Sequence, residues 1–493
     1  MRRPGCSAIR SCVSVDQRVI SGTGLGIRRM KELPHGILNT YALALPRGHA
    51  FGMRPPCESW QSDDGLSIGI IRRDVDTDEL GIMVRRRRLD HVWITVVEDR
   101  PIPTLVEARV ALSGLLIDKP PEPLPPNTAP RPALYDFEGR TLSDAFKVLS
   151  TRSHRVAAWM MNQLYLSLPH PDKNWTGDCQ TGNFHTRLWE AQLLAAFREQ
   201  GLLVEQPHPS PDFRIENRLG GEAWVEAVTA NPIVPYNHVN APPSEQPDDK
   251  EELSSGAAAL RFAKTLGSKL QRDYPSLPHV AGKPFAIALA DFHAPASMVW
   301  SREALISYLY GMRAYTADVD GKRIAISVPM TELLGPSKFP AGLFASDRQS
   351  DLSAVIFSNA CSIAKLNRVG VTLGAKTDGL RYMRIGQLFD RTPGALEGIS
   401  FCLDIRSKDY LSLWPQGSEP WSAEMEVFHN PFARCKLPKE LLPEATHWFE
   451  EAGELVCSSY YETSVLWSQS LILDEDARIP TLDDFLPSSQ AGA

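Results

Sequence analysis

No two of the eight cysteines, at 6, 12, 57, 179, 361, 402, 435 and 457, are close enough to form a Cys-x-x-Cys pair. That spacing excludes a zinc knuckle, and free thiols of a cytoplasmic protein are the expected state. Also missing is any run of about 18 apolar residues able to cross a bilayer, and the arginines near the start precede no apolar signal stretch. A membrane partner is therefore not expected. There is no strong excess of one charge: 52 Lys and Arg face 59 Asp and Glu, a net charge of -7, which argues against a basic surface coating nucleic acid wholesale. No internal repeat is seen. What the chain does have is length: 493 residues, 43% of them hydrophobic, exceed what one core serves and imply two or three domains.

Composition divides the chain further. Residues 1–52 mix basic residues with Gly, Ser and Pro without periodicity and are expected to be a disordered arm. Short β-rich runs at 66–71, 81–86 and 92–97, then a helical pattern at 104–116, predict a small β-sheet-plus-helix domain over 53–118. The proline-dense stretch 119–132 reads as a stiff linker, because each ring fixes φ and removes a backbone donor. Beyond it, 133–473 reads as an α/β domain with helices at 142–168, 186–200, 257–272 and 302–310. Its strands are expected at 202–205, 213–217, 223–229, 284–291 and 353–358. The polar segment 232–255 is expected to be a mobile insertion, and 474–493 a flexible tail.

Three acidic residues stand where acids are costly. In the helix 186–200, Glu190 lies three, four and seven positions before Leu193, Leu194 and Phe197, on the inward stripe. A carboxylate there needs a cation, an arginine or a strong hydrogen bond; pairing with Arg187 or with the helix N-terminus is the plain alternative to metal binding. Asp212 follows Pro211 where the chain enters a strand, and after Gly220-Gly221 the apolar strand 223–229 carries Glu226 at its middle. Two carboxylates on adjacent hairpin strands, with one from a helix, offer hard oxygens suited to Mg²⁺ or Mn²⁺.

A helix Glu, a Pro-Asp opening a strand, a hairpin and a Glu on the next strand together resemble the PD-(D/E)XK nuclease superfamily, which includes many restriction endonucleases and repair nucleases. The resemblance implies a restriction-endonuclease-like core, a mixed central sheet flanked by helices, here with a small β-rich N-terminal domain. It further implies Mg²⁺ or Mn²⁺ held by Glu190, Asp212 and Glu226, hydrolysis of DNA phosphodiester bonds in a role such as defence against foreign DNA, and a homodimer or a defence-system partner protein. The sequence departs from that pattern at Val228, where the family has lysine. Members of the superfamily recruit the lysine from a neighbouring helix, and the helix 257–272 offers Lys264 and Lys269. Lys269 shares the apolar side with Phe262, Leu266 and Leu270, so it is the expected catalytic lysine, against the reading of a surface lysine whose stem covers apolar neighbours. Because of Val228, a catalytically inactive nuclease-fold scaffold that binds nucleic acid or protein stands as the alternative. Over 186–293 the chain is similar to a group of uncharacterised bacterial proteins assigned to this fold, and 365–368 and 429–431 look like further hallmarks of that group.

Other motifs are read as structural. Asp74, Asp76 and Asp78 lack the glycine and the bidentate Glu of a calcium loop and predict an acidic hairpin. Arg85–Arg88, with His91 and Trp93 following, could grip phosphates, but such a run more often forms a solvated sheet edge, as expected here. His429 is expected in a loop, Asp291 with His293 as a strand-end polar pair, and Thr229 with Asn231 as a strand terminus.

Overall fold

The computed structural model describes residues 30–485, apart from 138, 235, 237–244, 321, 337 and 393–394. Two compact units form, one from 30–38 with 51–131 and the other from 39–50 with 132–485. The first 29 residues of the expected arm, part of the expected insertion and the last eight residues of the expected tail lie outside the described residues.

In the first unit, β1 (Lys31–Glu32) opens an antiparallel sheet, and the helix α1 (His35–Ala42) runs across the division between the units. The sheet continues through β2 (Pro56–Gln61), β3 (Ser67–Arg73), β4 (Leu80–Arg87) and β5 (Trp93–Ile102) in sequential order. The helix α2 (Leu105–Leu115), capped by the Thr104 side chain, buries Ala108 and Leu112 against Trp60, Ile71, Ile82 and Val84. It sits so close that a Cβ on Gly69 would lie 2.8 Å from a Leu112 methyl. Asp74 accepts the backbone N–H groups of Asp76 and Thr77, closing the expected acidic hairpin between β3 and β4.

Two expectations for this unit need correction. Residues 30–52 are folded, because β1 pairs with β2 and Leu33 donates to the Ser59 carbonyl. The arginine run is not a solvated edge, and 119–132 is not a free linker: Arg85, Arg86 and Arg87 are buried. Arg86 donates to the Lys119 and Pro120 carbonyls at 3.0 Å, and Glu122 exchanges backbone bonds with Arg87 and Leu89. The proline segment thus covers the β4 margin, and the Arg86 guanidinium satisfies carbonyls that its prolines cannot pair among themselves.

The second unit opens with α3 (Asp144–Val148) and α4 (Arg155–Ser167), where one helix was expected. The Thr151 hydroxyl bonds to the Val148 carbonyl at 2.8 Å and to His154 Nδ1 at 2.9 Å, side-chain bonds that compete with continuing the helix. Next come α5 (Trp175–Gln180), α6 (Phe184–Glu199), β6 (Leu203–Glu205), β7 (Phe213–Glu216) and β8 (Glu222–Ala230). The expected insertion ends in a helix, α7 (Lys250–Ser255), capped by Asp249, and α8 (Ala257–Leu270) follows. The chain continues through β9 (Phe285–Asp291), α9 (Arg302–Tyr310), the hairpin β10 (Met312–Val319) and β11 (Lys322–Pro329), and the short pair β12 (Glu332–Leu333) and β13 (Phe339–Pro340). It closes with β14 (Ala354–Ser358), α10 (Ile363–Thr372), β15 (Leu380–Leu388), β16 (Ile399–Asp404), α11 (Lys408–Leu411), β17 (Met425–His429), β18 (Thr446–Glu451), β19 (Glu454–Ser459) and β20 (Val465–Asp474).

Eight of these strands form one mixed sheet in the order β19-β18-β17-β14-β9-β8-β7-β6. At its centre β8, β9 and β14 run parallel, and β9 and β14 are buried along their whole length, as continuous apolar runs require. Phe262 and Leu266 of α8 and Leu305 and Leu309 of α9 pack on Trp224, Val228, Leu289 and Phe357. Across the sheet, Phe213 meets Phe197 of α6, and Trp189 donates to the Ala288 carbonyl at 2.9 Å. Residues 39–50 belong to this unit, since the buried Arg198 donates to the Leu43 carbonyl at 2.7 Å. A separate sheet, β16-β15-β20, takes up the last residues before the expected tail. Among the described residues no helix is long and apolar enough to cross a membrane.

Candidate active site

The hairpin register places the acids. Phe213 faces Val225 across β7 and β8, so Asp212, one residue before β7, lies across from Glu226. There β7 stops while β8 runs on beside β9 to Ala230, leaving a notch at the side of β8 where a strand would have paired. Asp212 Oδ2 fills part of that role by accepting the Ala227 N–H at 2.7 Å.

Glu226 is 4% exposed. Its Oε1 accepts from Lys269 Nζ at 2.6 Å and from the Tyr274 hydroxyl at 2.7 Å. Its Oε2 is buried with no hydrogen-bond partner among the described residues. Strand alternation points Trp224, Glu226 and Val228 to the α8 side, which is how a lysine near the end of α8 reaches the acid. Val228 packs with Phe262 and Leu289, so the position that the nuclease pattern gives to lysine is part of the core. Lys264 is exposed.

Asp212 carries the clearest electrostatic signature. Burial raises its carboxyl well above the usual range, the Glu226 and Glu190 carboxylates push the same way, and the Ala227 N–H and Lys269 only partly oppose them. Burial, with the bond to Glu226, likewise raises the Tyr274 hydroxyl, so it stays a protonated donor.

Glu190 shares a cleft of about 90 Å³ with Asp212, also lined by Asp172, Trp175, Arg187 and His208. Both of its oxygens are engaged: Arg187 donates to Oε1 at 2.9 Å and Oε2 at 3.0 Å, and Trp175 Nε1 to Oε2 at 2.9 Å. The same guanidinium bonds Asp172 and Asp178, each at 2.5 Å. Among the described residues no group of three His, Cys, Asp or Glu is arranged to hold a metal ion. Glu190 instead pairs with Arg187, three positions away on α6, although burial still raises its carboxyl above the usual range.

In comparisons with known proteins, no family model, no curated protein and no solved structure matches the chain. The site's chemistry is therefore read from its own atoms. A buried carboxylate oxygen without a partner costs about 1–3 kcal/mol, which is the state of Glu226 Oε2 among the described residues. Asp212 and Glu226 would be the residues to hold a divalent cation of the Mg²⁺ or Mn²⁺ kind.

Other residues singled out from sequence lie elsewhere. Asp291 is paired with Ala230, four residues along β8 from Glu226, and accepts from His293, Ser297 and Ser301. Thr229 bonds Thr186 at 2.9 Å. His429 is not in a loop: it ends β17, buried, with its Nε2 2.8 Å from His447 Nδ1, and Asn430 donates to the Gln349 and Leu352 carbonyls. Tyr274 was not legible in advance, because it follows α8 in a short 3-10 turn with no periodic signal. His208, stacked on His279 at 3.8 Å, lies in an irregular segment that patterning does not reach.

Proposed function

We propose that the chain is a metal-dependent phosphodiesterase that cuts DNA, on a core of the restriction-endonuclease kind. One observation carries the reading: Glu226, across from Asp212 one residue before β7, is gripped through Oε1 by Lys269 and Tyr274 while its buried Oε2 has no hydrogen-bond partner among the described residues. A bound divalent cation would supply Lewis acidity toward a phosphate oxygen and lower the pKa of water. Asp212 and Glu226 would hold it. Lys269 fixes the Glu226 rotamer and carries a positive charge to the notch, where it offsets negative charge developing on a phosphate. Tyr274 holds the same oxygen, so Glu226 keeps its orientation when the lysine turns toward substrate. Glu190, held on Arg187, shapes the far wall of the cleft.

The test is cleavage of plasmid and of single- and double-stranded oligonucleotides with Mg²⁺ or Mn²⁺. Wild type is expected to cut, and Glu226→Gln to lose the activity. Cutting by Glu226→Gln at the wild-type rate would overturn the assignment of the site. A second reading, a nuclease-fold scaffold that binds without cutting, draws on the Arg187 clamp of Glu190 and on Val228 in the core. Absence of cleavage on every substrate with either metal would favour it.

A further inference from the structure

Beyond the C-terminal ends of the parallel strands β9 and β14 lies a second cavity, of about 420 Å³, within the usual range for small-molecule pockets. Carboxyl ends of parallel strands are where open α/β sheets place ligands. Its walls are of two kinds. One is apolar, with Phe184, Leu188, Met298, Ile363 and the ring of Phe292, which His185 backs by stacking at 4.0 Å and 10°. The other is polar, with Ser362, Arg368, Ser468 and Ser470.

The polar wall is a set of donors. Ser470 Oγ accepts from Arg368 at 3.0 Å and Ser468 Oγ from Arg384 at 2.9 Å, so each hydroxyl has its own proton left to give. Arg368, 3% exposed, bonds Glu419 through Nε and one terminal nitrogen and Ser470 through the other. A guanidinium carries five N–H groups, so two remain beyond these contacts. Behind the wall, buried Lys365, Arg368 and Arg384 meet two carboxylates among the described residues, Glu419 and Glu424. These three cations and two carboxylates together leave one positive charge behind the wall.

We infer that this cavity binds a small planar aromatic anion, its ring between the Phe292 and Ile363 side and its acidic group on Ser468, Ser470 and Arg368, with a nucleoside monophosphate as a fitting member of the class. The site is separate from the carboxylate notch, although both use α6: His185 and Leu188 face the cavity, Arg187 and Glu190 the cleft. It does not depend on phosphodiesterase activity.

The experiment is titration calorimetry of the full chain, in metal-free buffer, with adenosine monophosphate, with adenosine and with indole-3-acetate. At least one of the two anions should bind, and adenosine at least about ten-fold more weakly, the loss of one charge-assisted bond. Binding of the nucleotide identifies phosphate as the acidic group; binding of the indole acid alone identifies carboxylate. Ala364→Phe, which fills the cavity, and Ser470→Ala should each weaken binding about ten-fold or more. Glu226→Gln should leave it unchanged. Photolabelling with 8-azido-adenosine monophosphate, mapped by mass spectrometry, covers failure of a variant to fold: label on 184–188, 292–299 or 359–368 supports the site. Binding by neither anion, wild-type binding by both cavity variants, loss of binding in Glu226→Gln, or label confined to other segments would overturn it.

Discussion

Two of the places where the second unit buries acidic side chains treat them in opposite ways. Around α10 and β15, Glu419 and Glu424 meet Lys365, Arg368 and Arg384, with the Tyr410 hydroxyl also on Glu419. Burial alone would raise Glu419, yet Arg368, Lys365 and Arg384 outweigh it and hold the carboxyl well below its usual range. At the β7 and β8 notch, burial and like charge win instead, and Asp212 is raised. A fold able to surround two glutamates with three cations leaves Glu226 Oε2 bare. The first cluster ties α10 to distant loops; the second keeps an unpartnered carboxylate oxygen and a carboxyl held above its usual range.

The largest expected effect breaks the satisfied cluster. Glu419→Gln removes one partner from a fully buried ion network and should cost about 3–5 kcal/mol in urea unfolding, whereas Glu226→Gln should cost far less or stabilise. An equal cost for both would erase the contrast. Next, Lys269→Ala should lower DNA cleavage by about a hundred- to a thousand-fold, the size typical of losing one electrostatic donor. Unchanged cleavage would make Lys269 a structural partner of Glu226 only.

Arg187→Gln sharpens the comparison from the other side. Freed of its guanidinium, Glu190 becomes available to the cleft, and Mn²⁺ should bind about ten-fold more tightly, as for a change in the groups that orient ligands. Weaker binding would mean that Arg187 orders the site instead of blocking it.

The smallest effect is on pH dependence. Asp212 holds its proton more tightly folded than unfolded, so its ionisation penalises folding as pH rises above 3.8 and through the raised value. Asp212→Asn should therefore raise the unfolding midpoint at pH 8 and change it little at pH 4. Glu419 has the opposite sign: its stabilisation is present above 4.5 and is lost as pH falls toward its lowered value. Thermal unfolding across pH separates the two, and a rise from Asp212→Asn that is larger at pH 4 than at pH 8 would contradict the assignment.

Local patterns made part of this legible. The alternation in 223–229 and the Gly-Gly turn put Asp212 and Glu226 on opposed strands, and the helical wheel put Lys269 on the inward side. The i, i+3 spacing offered Arg187 as a partner of Glu190, though nothing local decided between arginine and metal. Long-range contacts were not legible. Arg368 and Glu419 stand 51 residues apart and Arg384 and Glu424 40 apart, so no window contains either pair. The burial of Arg86 likewise depends on the Lys119 and Pro120 carbonyls, more than 30 residues on, which a period-two strand pattern cannot register.

Calorimetric titration of Mn²⁺ into wild type and Glu226→Ala tests most directly whether Asp212 and Glu226 together hold a divalent cation, as proposed. The expected result is saturable binding of about one ion per chain by wild type, with release of a proton as Asp212 ionises, and none by the variant. No binding by wild type, or equal binding by Glu226→Ala, would contradict it.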